Sequence, residues 1–439
     1  MLAIDLLLHA RWIIPVEPAG AVYSDHCLAV HEGRILDLLP ANEAQLRYSA
    51  ATTLRLDEHA LIPGLINAHT HAAMSLLRGL ADDLPLMEWL NQHIWPAESA
   101  WVSPQFIQDG TQLAIAEMLR GGTTCFNDMY FFPDHTARVT AACGMRASIG
   151  LILIDFPTAW AANADEYLHK GLEVHDAYKD HPLITTTLAP HAPYTVSDAP
   201  LEKIVMYADV LDRQIHMHVH ETRAEIEQGL EKSGERPLAR LARLGILSPR
   251  LQAVHMTQLT DDEVAQVAAS RAHVVHCPES NLKLASGFCP LDKLIKAGVN
   301  VALGTDGAAS NNDLDMFSEM RSAALLAKGV SGDATSVPAA TALRMATLNG
   351  ARALGLGDIT GSLLPGKAAD ITAVHLGDLE TQPLYDPVSQ LVYATGRDKV
   401  TDVWVAGQHV LKQRQLTTLD EAELVIKARG WAQKIRPAG

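Results

Sequence analysis

The chain is short of cysteine, of aromatic residues and of long apolar runs. Its five cysteines, Cys27, Cys125, Cys143, Cys277 and Cys289, are scattered among 439 residues, and none forms a C-x-x-C pair. A disulfide framework or a thiolate zinc knuckle is therefore not expected, and a reducing, cytoplasmic compartment fits. Aromatics make up 5% of the chain. No stretch approaches the roughly 18 consecutive apolar residues of a membrane span. The opening segment "MLAIDLLLHARW" has no basic region, and Asp5 interrupts its apolar run, so it does not read as a signal peptide. Basic tracts are also missing. With 51 acidic against 35 basic residues and a formal charge of −16, nucleic acid and anionic membranes are not expected partners. Low-complexity stretches and Pro/Gly-rich linkers are absent too.

What remains is an ordinary globular balance, 48% hydrophobic and 20% charged, with ample material for a core. The two ends share one style. "CLAVHEGRILDLL" turns at Glu32-Gly33, and "DVWVAGQHVLKQ", preceded by "ADITAVHL", turns at Gly407. Apolar alternation around a glycine turn reads as a hairpin. Pairing the ends gives a small β-sandwich domain from residues 1–57 and 366–439.

The middle, 58–365, alternates strands and helices. Aliphatic or β-branched segments recur at 61–69, 123–129, 145–154, 183–190, 214–220, 251–256, 272–276 and 300–305. Helical patterns lie between most of them. One opens at Ser103 with Pro104 at its first position and stops at Gly121-Gly122; another, "DDEVAQVAAS", opens at Thr260. Eight repeats of strand and helix predict an α/β fold, a (β/α)₈ TIM-like barrel.

Chemistry in such a barrel sits where the strands end. His69 and His71 close the first strand, His191 the fourth, and His255 lies near the end of the sixth. The fifth, "QIHMHVHE", carries His216, His218 and His220 on one face with Glu221 at its exit, and the eighth ends in Asp306. Residues two apart on a strand point the same way, so His69 and His71 converge. Imidazoles and a carboxylate gathered at one face suit zinc or another borderline divalent ion. Such an ion lowers the pKa of water toward about 7. Glu221 is placed to shuttle the proton, and His255 and Asp306 to hold the oxygen. Periodicity alone does not choose among His216, His218 and His220.

The motifs "PGLINAHTH", "HVHE", "AVHMT" and "GTDGAASNN", in this order, resemble the amidohydrolase superfamily over nearly the whole chain. Within it, "EWLNQHIWPAESAW", "APHAPYT" and "SNLKLASG" resemble the 5′-methylthioadenosine/S-adenosylhomocysteine deaminase group. The resemblance implies His69, His71, His218 and Asp306 as ligands of one Zn²⁺ (or Fe²⁺ or Mn²⁺) per chain. It makes Glu221, His255 and Asp306 catalytic. Glu98 would grip the ribose hydroxyls, His191 would bind the nucleoside, Trp89 would line the pocket and Ser310 would lie beside the substrate's 5′ end. It also implies a homo-oligomer, a dimer or tetramer. His216 and His220 then become barrel-interior neighbours. The 72–122 gap after the first strand is longer than one crossover helix needs, which independently points to a lid carrying Trp89 and Glu98.

Other readings stay open. Guanine, cytosine and triazine hydrolases share many of these motifs, and a metal-free structural barrel is a different class of answer. "GSLLPGKAAD" matches a phosphate loop up to Lys367 but has Ala368 where a hydroxyl is needed, and leads into a strand, so it reads as the turn back to the β-domain. The nucleobase-editing zinc deaminases need H-x-E with P-C-x-x-C, and neither is present. One departure bears on specificity. Relatives handling S-adenosylhomocysteine are expected to offer basic side chains around the third strand. Here Arg146 comes early, where it faces away, and Gly150, Leu151, Trp160, Ala161, Ala162 and Asn163 are apolar or small. A preference for methylthioadenosine is the expectation.

Overall fold

The computed structural model describes residues 1–435; positions 436–439 of the expected β-domain lie outside the described residues. Two eight-stranded sheets organise the chain. The first draws on both ends. Strands Leu2–Ile13, Tyr23–His31, Arg34–Pro40 and Tyr48–Pro63 join Ile371–His375, Val400–Val405, Gln408–Lys412 and Gln415–Leu416. Leu8, Leu28 and Ile35 from the N-terminal strands share one buried cluster with Ile371 and Trp404 from the C-terminal ones. The sheet therefore curls over a common core, as a sandwich does. Both expected hairpins form with two-residue turns in the left-handed region: Glu32 and Gly33 at φ 49° and 75°, Ala406 and Gly407 at 45° and 77°. The turns touch each other, and a Cβ on Gly33 would lie 2.6 Å from the Ala406 carbonyl oxygen.

The second sheet is the barrel. Its strands are Leu65–Thr70, Thr123–Tyr130, Arg146–Leu153, Ile184–Pro190, Ile215–Val219, Leu251–His255, His273–His276 and Asn300–Leu303. They pair in sequence order, all parallel. The predicted segment 61–69 divides. Its first residues complete the strand Tyr48–Pro63 of the other sheet, and the chain crosses at Gly64, past the 57–58 boundary expected from sequence. Only glycine fits there, because a Cβ would meet the Thr124 hydroxyl at 2.0 Å. The predicted helix after the first strand runs from Pro104 to Arg120, capped by Ser103. Thr260 and Glu263 form a reciprocal capping box on Asp261–Ser270.

The barrel closes between its first and eighth strands through side chains as well as backbone. Asn67 Nδ2 donates to Thr305 Oγ1 at 2.7 Å, and Thr305 N donates to Asn67 Oδ1 at 3.0 Å. Asp306 N donates to the His69 carbonyl at 3.0 Å. This seam brings the two ends of the barrel sequence, His69 and Asp306, side by side. At the opposite end, Arg146 is buried and paired with Asp370 through Nε at 2.8 Å, which locks the barrel floor to the β-domain. Gly366 and Lys367 exchange backbone hydrogen bonds with Ile35, so the phosphate-loop lookalike is a turn against the first hairpin. None of the helices among the described residues is long and apolar enough to cross a membrane.

Between the first two barrel strands lies a lid. A 3₁₀ turn (Ala72–Leu77) leads to short helices Leu86–Trp89 and Trp95–Trp101, joined by one π-helical stretch, Leu90–Ile94. The C-terminal helix Glu421–Ile435 packs on the 3₁₀ turn and on the helix Pro104–Arg120 that follows the lid: Trp431 stacks edge-on against Phe106 and donates to Asp109 Oδ2 at 3.0 Å.

Candidate functional site

The strand ends deliver the expected side chains to one place. One ligand atom each from His69, His71, His218 and Asp306 lies within 4.8 Å of all the others. Asp306 Oδ1 is 3.2 Å from Nε2 of both His69 and His71. His218 Nε2 is 3.2 Å from His69 Nε2. The neighbours decide which nitrogen each ring offers. His71 Nδ1 donates to the Met129 carbonyl at 2.6 Å and His218 Nδ1 to the His191 carbonyl at 2.9 Å. His69 Nδ1 pairs with His216 Nε2 at 2.9 Å. All three Nε2 atoms are thereby turned to a common point. Asp306 is oriented as firmly. Its Oδ2 accepts from Ser280 Oγ at 2.6 Å and Ser310 Oγ at 2.8 Å, while Gly307 N donates to Oδ1. Three imidazoles and one carboxylate in this arrangement fit a single divalent metal.

Backbone strain accompanies the placement. His220, His255, Met256 and Asp306 all adopt left-handed φ, between 51° and 76°. These residues lie where barrel strands end, and the conformation costs of order 1–3 kcal/mol per residue.

Glu221 and His255 adjoin the cluster, with Glu221 Oε2 3.8 Å from His255 Nε2. Burial pushes the Glu221 carboxyl above its usual range, and the Asp306 charge adds to this while His255 opposes it. The Glu221 backbone is pinned. Glu225 accepts from His220 N and Glu221 N with its two oxygens, at 2.9 and 2.7 Å, and Thr257 Oγ1 donates to the Glu221 carbonyl. His255 Nδ1 meets Asn281 Oδ1 at 2.9 Å. His191 is neutral, since burial lowers it to about 3.

A pocket of about 710 Å³ opens over the cluster. Its walls include His191, Glu221, His255, Ser310, Trp89 and Glu98, every expected substrate contact among them. Trp89 is buried and donates its indole N–H to the Ala81 carbonyl, so it is also a packing residue of the lid. Ser310 has its hydroxyl committed to Asp306. Glu98 is half-buried; burial pushes its carboxyl up to about 7, although the Tyr130 hydroxyl, donating at 2.6 Å, works the other way.

His216 and His220 stand outside the four-ligand set. His216 backs His69, and His220 Nε2 accepts from Leu238 N at 3.0 Å. Cys277, beside His276, is buried and keeps its proton. The loop after the third strand reaches the pocket through Phe156, Pro157, Thr158 and Ala159. The stretch 160–163 was expected there, but Trp160 packs on Phe132 and Asn163 caps the next helix. Tyr130, Glu225 and Asn281 were not anticipated. Tyr130 ends the second strand, so the rule that singled out the histidines also covered it. Asn281 lies inside the motif "SNLKLASG", to which no role was attached, and Glu225 shows no pattern in one sequence.

Known proteins resemble this chain over nearly its whole length. A curated 5-methylthioadenosine/S-adenosylhomocysteine deaminase of Teredinibacter turnerae is 52% identical over 432 residues, covering 98% of each chain. The crystal structure of an adenosine deaminase from Xanthomonas campestris, with bound zinc, superposes with a TM-score of 0.98 at 57% identity, covering 99% of both chains. An atrazine chlorohydrolase of Arthrobacter aurescens, 21% identical over 97% of this chain and 99% of its own, shares the fold with a TM-score of 0.90. The profile of the amidohydrolase family matches residues 60–410. The chain belongs to the amidohydrolase family.

Proposed function

We propose that the protein is a metal-dependent deaminase of the adenine ring in 5′-methylthioadenosine, with adenosine a second substrate, releasing the inosine analogue and ammonia. The observation that carries this reading is one pocket lined at once by His71, His218 and Asp306 of the metal cluster, by Glu221 and His255, and by the carboxylate of Glu98. When bound, a divalent ion lowers the pKa of water toward about 7 and so supplies a nucleophile at neutral pH. Glu221 takes the proton of the attacking water and delivers it to ring N1. Its raised pKa suits a group that must hold that proton between the two transfers. His255 holds the attacking oxygen as it meets C6, and Asp306 helps the second proton reach the departing ammonia. His191, neutral, positions the nucleoside, and Glu98 receives the 2′ and 3′ hydroxyls. The reading includes a homo-oligomer, resting on family resemblance, and neither nucleic acid nor membrane as a partner. Ammonia release from a panel of methylthioadenosine, adenosine, S-adenosylhomocysteine, adenine and guanine tests it. Release confined to a free base would favour the nucleobase hydrolases of the same fold.

Two further expectations arise here. Among the described side chains lining the pocket there is no lysine or arginine, and Arg146 is spent on Asp370. The amino-acid carboxylate of S-adenosylhomocysteine would lose water without gaining a partner, whereas a methylthio group suits Phe156 and Ile154. We expect kcat/KM for methylthioadenosine to exceed that for S-adenosylhomocysteine roughly 10- to 100-fold, the scale of one unpaired buried group. Equal values would refute this. Glu98→Ala should lower kcat/KM on nucleosides roughly 10- to 100-fold, mostly through KM, by removing a charged acceptor. Nucleoside turnover unchanged in that variant would transfer the site to the free-base reading.

A further inference from the structure

Glu98 stands on a short helix joined to its neighbour by a π-helical stretch, and the task proposed for it demands a fixed carboxylate. What fixes it comes from the barrel. Tyr130 is the last residue of the second strand, 5% exposed, with its ring against Phe131 and its hydroxyl 2.6 Å from Glu98 Oε1. Among the described side-chain hydrogen bonds of residues 86–101, this one reaches a barrel strand; those of Trp89 and Asn91 return to the lid segment itself.

We infer that Tyr130 is a positioning residue for ribose recognition: its hydroxyl docks the lid carboxylate of Glu98 on the rigid barrel and aims the remaining acceptor sites at the vicinal diol. The inference rests on the ribose role proposed for Glu98. The geometry leaves room for it. A carboxylate has about four acceptor sites. Tyr130 occupies one on Oε1, leaving Oε2 and the second site of Oε1 for two adjacent hydroxyls. The donor is a permanent one, because burial and the facing Glu98 charge both hold the phenol in its protonated form. A bond made before substrate arrives removes the need to order the long Glu98 side chain during binding. The same bond ties the helix Trp95–Trp101 to the strand that supplies Met129, whose carbonyl orients His71. Ribose recognition and the metal cluster thus share one strand end.

The test compares adenosine with 2′,3′-dideoxyadenosine on the zinc-loaded full chain. Tyr130→Phe keeps the ring and deletes the hydroxyl. Wild-type protein should prefer adenosine. Tyr130→Phe should lose about tenfold in kcat/KM on adenosine, chiefly in KM, and much less on the dideoxy substrate, so the preference shrinks. A loss equal on both substrates would show a merely structural tyrosine, and an unchanged preference would show a bond without consequence; either overturns the inference. Melting temperature and zinc content confirm that the variant folds. Glu98→Ala run in parallel separates the two claims. If it abolishes the preference while Tyr130→Phe leaves it intact, only the role of Tyr130 falls. If Glu98→Ala also leaves it intact, the ribose reading itself fails.

Discussion

Replacing Glu221 with glutamine should lower kcat about 10²- to 10⁴-fold while leaving zinc content and melting temperature near wild type. The range is what removal of a positioned proton carrier costs. The structure separates that chemical loss from a structural one. Glutamine has the shape of glutamate, and the backbone at position 221 is held from elsewhere, by Glu225 on its N–H and Thr257 on its carbonyl. The side-chain contact at stake is the 3.8 Å approach to His255, too long to be a hydrogen bond that stabilises the fold. Ammonia release under saturating methylthioadenosine, with metal analysis on the same sample, measures both sides. Wild-type kcat in the variant would remove Glu221 from the mechanism. Loss of zinc together with activity would reassign it to the metal environment.

Stripping the metal should abolish turnover, and zinc should restore it. Three Nε2 atoms and Asp306 Oδ1 converge with their hydrogen-bonding partners already in place, so folding has largely prepared the site. A ligand that binds only the folded chain stabilises it by about 4 kcal/mol at a thousandfold excess over Kd. The melting temperature should therefore climb with zinc, and the climb should vanish in His218→Ala. Proton competition gives the binding a pH dependence. In the metal-free chain burial disfavours a charged His71, but the adjacent Asp306 carboxylate prevails and raises it to about 9. Binding must displace that proton. Apparent zinc affinity should strengthen as pH rises toward 9 and weaken as it falls below. Zinc titrations at pH 6.5 and 8.5 following melting temperature check this; a flat response would mean that His71 is already neutral in the metal-free protein.

The metal cluster was legible because its residues obey a positional rule. Histidines and an aspartate at the ends of aliphatic segments are conspicuous, and parallel barrels gather strand ends on one face. Choosing His218 among three same-face histidines needed the family motif. The structure gives the physical reason: His218 has the His191 carbonyl at its Nδ1 and turns Nε2 to the cluster, while His216 and His220 spend Nε2 on His69 and Leu238. Long-range partners of this kind leave no local trace in a sequence. The same is true of Asn281 against His255, whereas Glu225 is a local partner of His220 and Glu221 that nothing in one sequence marks out. The third-strand loop shows another limit. Its apolar character was readable, but which residues face the pocket depends on how Trp160 packs against Phe132. The crossing at Gly64 escaped because a strand that leaves one sheet and a strand that enters the next read as one apolar run; what separates them is pairing with residues far along the chain, 371–375 on one side and the strand Thr123–Tyr130 on the other.

The shared sheet has a consequence for how the protein is made. Residues 59–63, on the edge of the strand Tyr48–Pro63, find their partners in 371–375. A ribosome must add some 300 further residues before that edge can be covered, at roughly 5–20 residues per second. For tens of seconds the nascent chain carries an apolar strand edge, "ALIP", with nothing from its own sequence to cover it. Open edges of this kind recruit strands from other chains. A chaperone that shields the N-terminal strands until the last hairpin emerges would raise the yield of folded protein, and truncations before residue 371 should accumulate as aggregates rather than as free barrels.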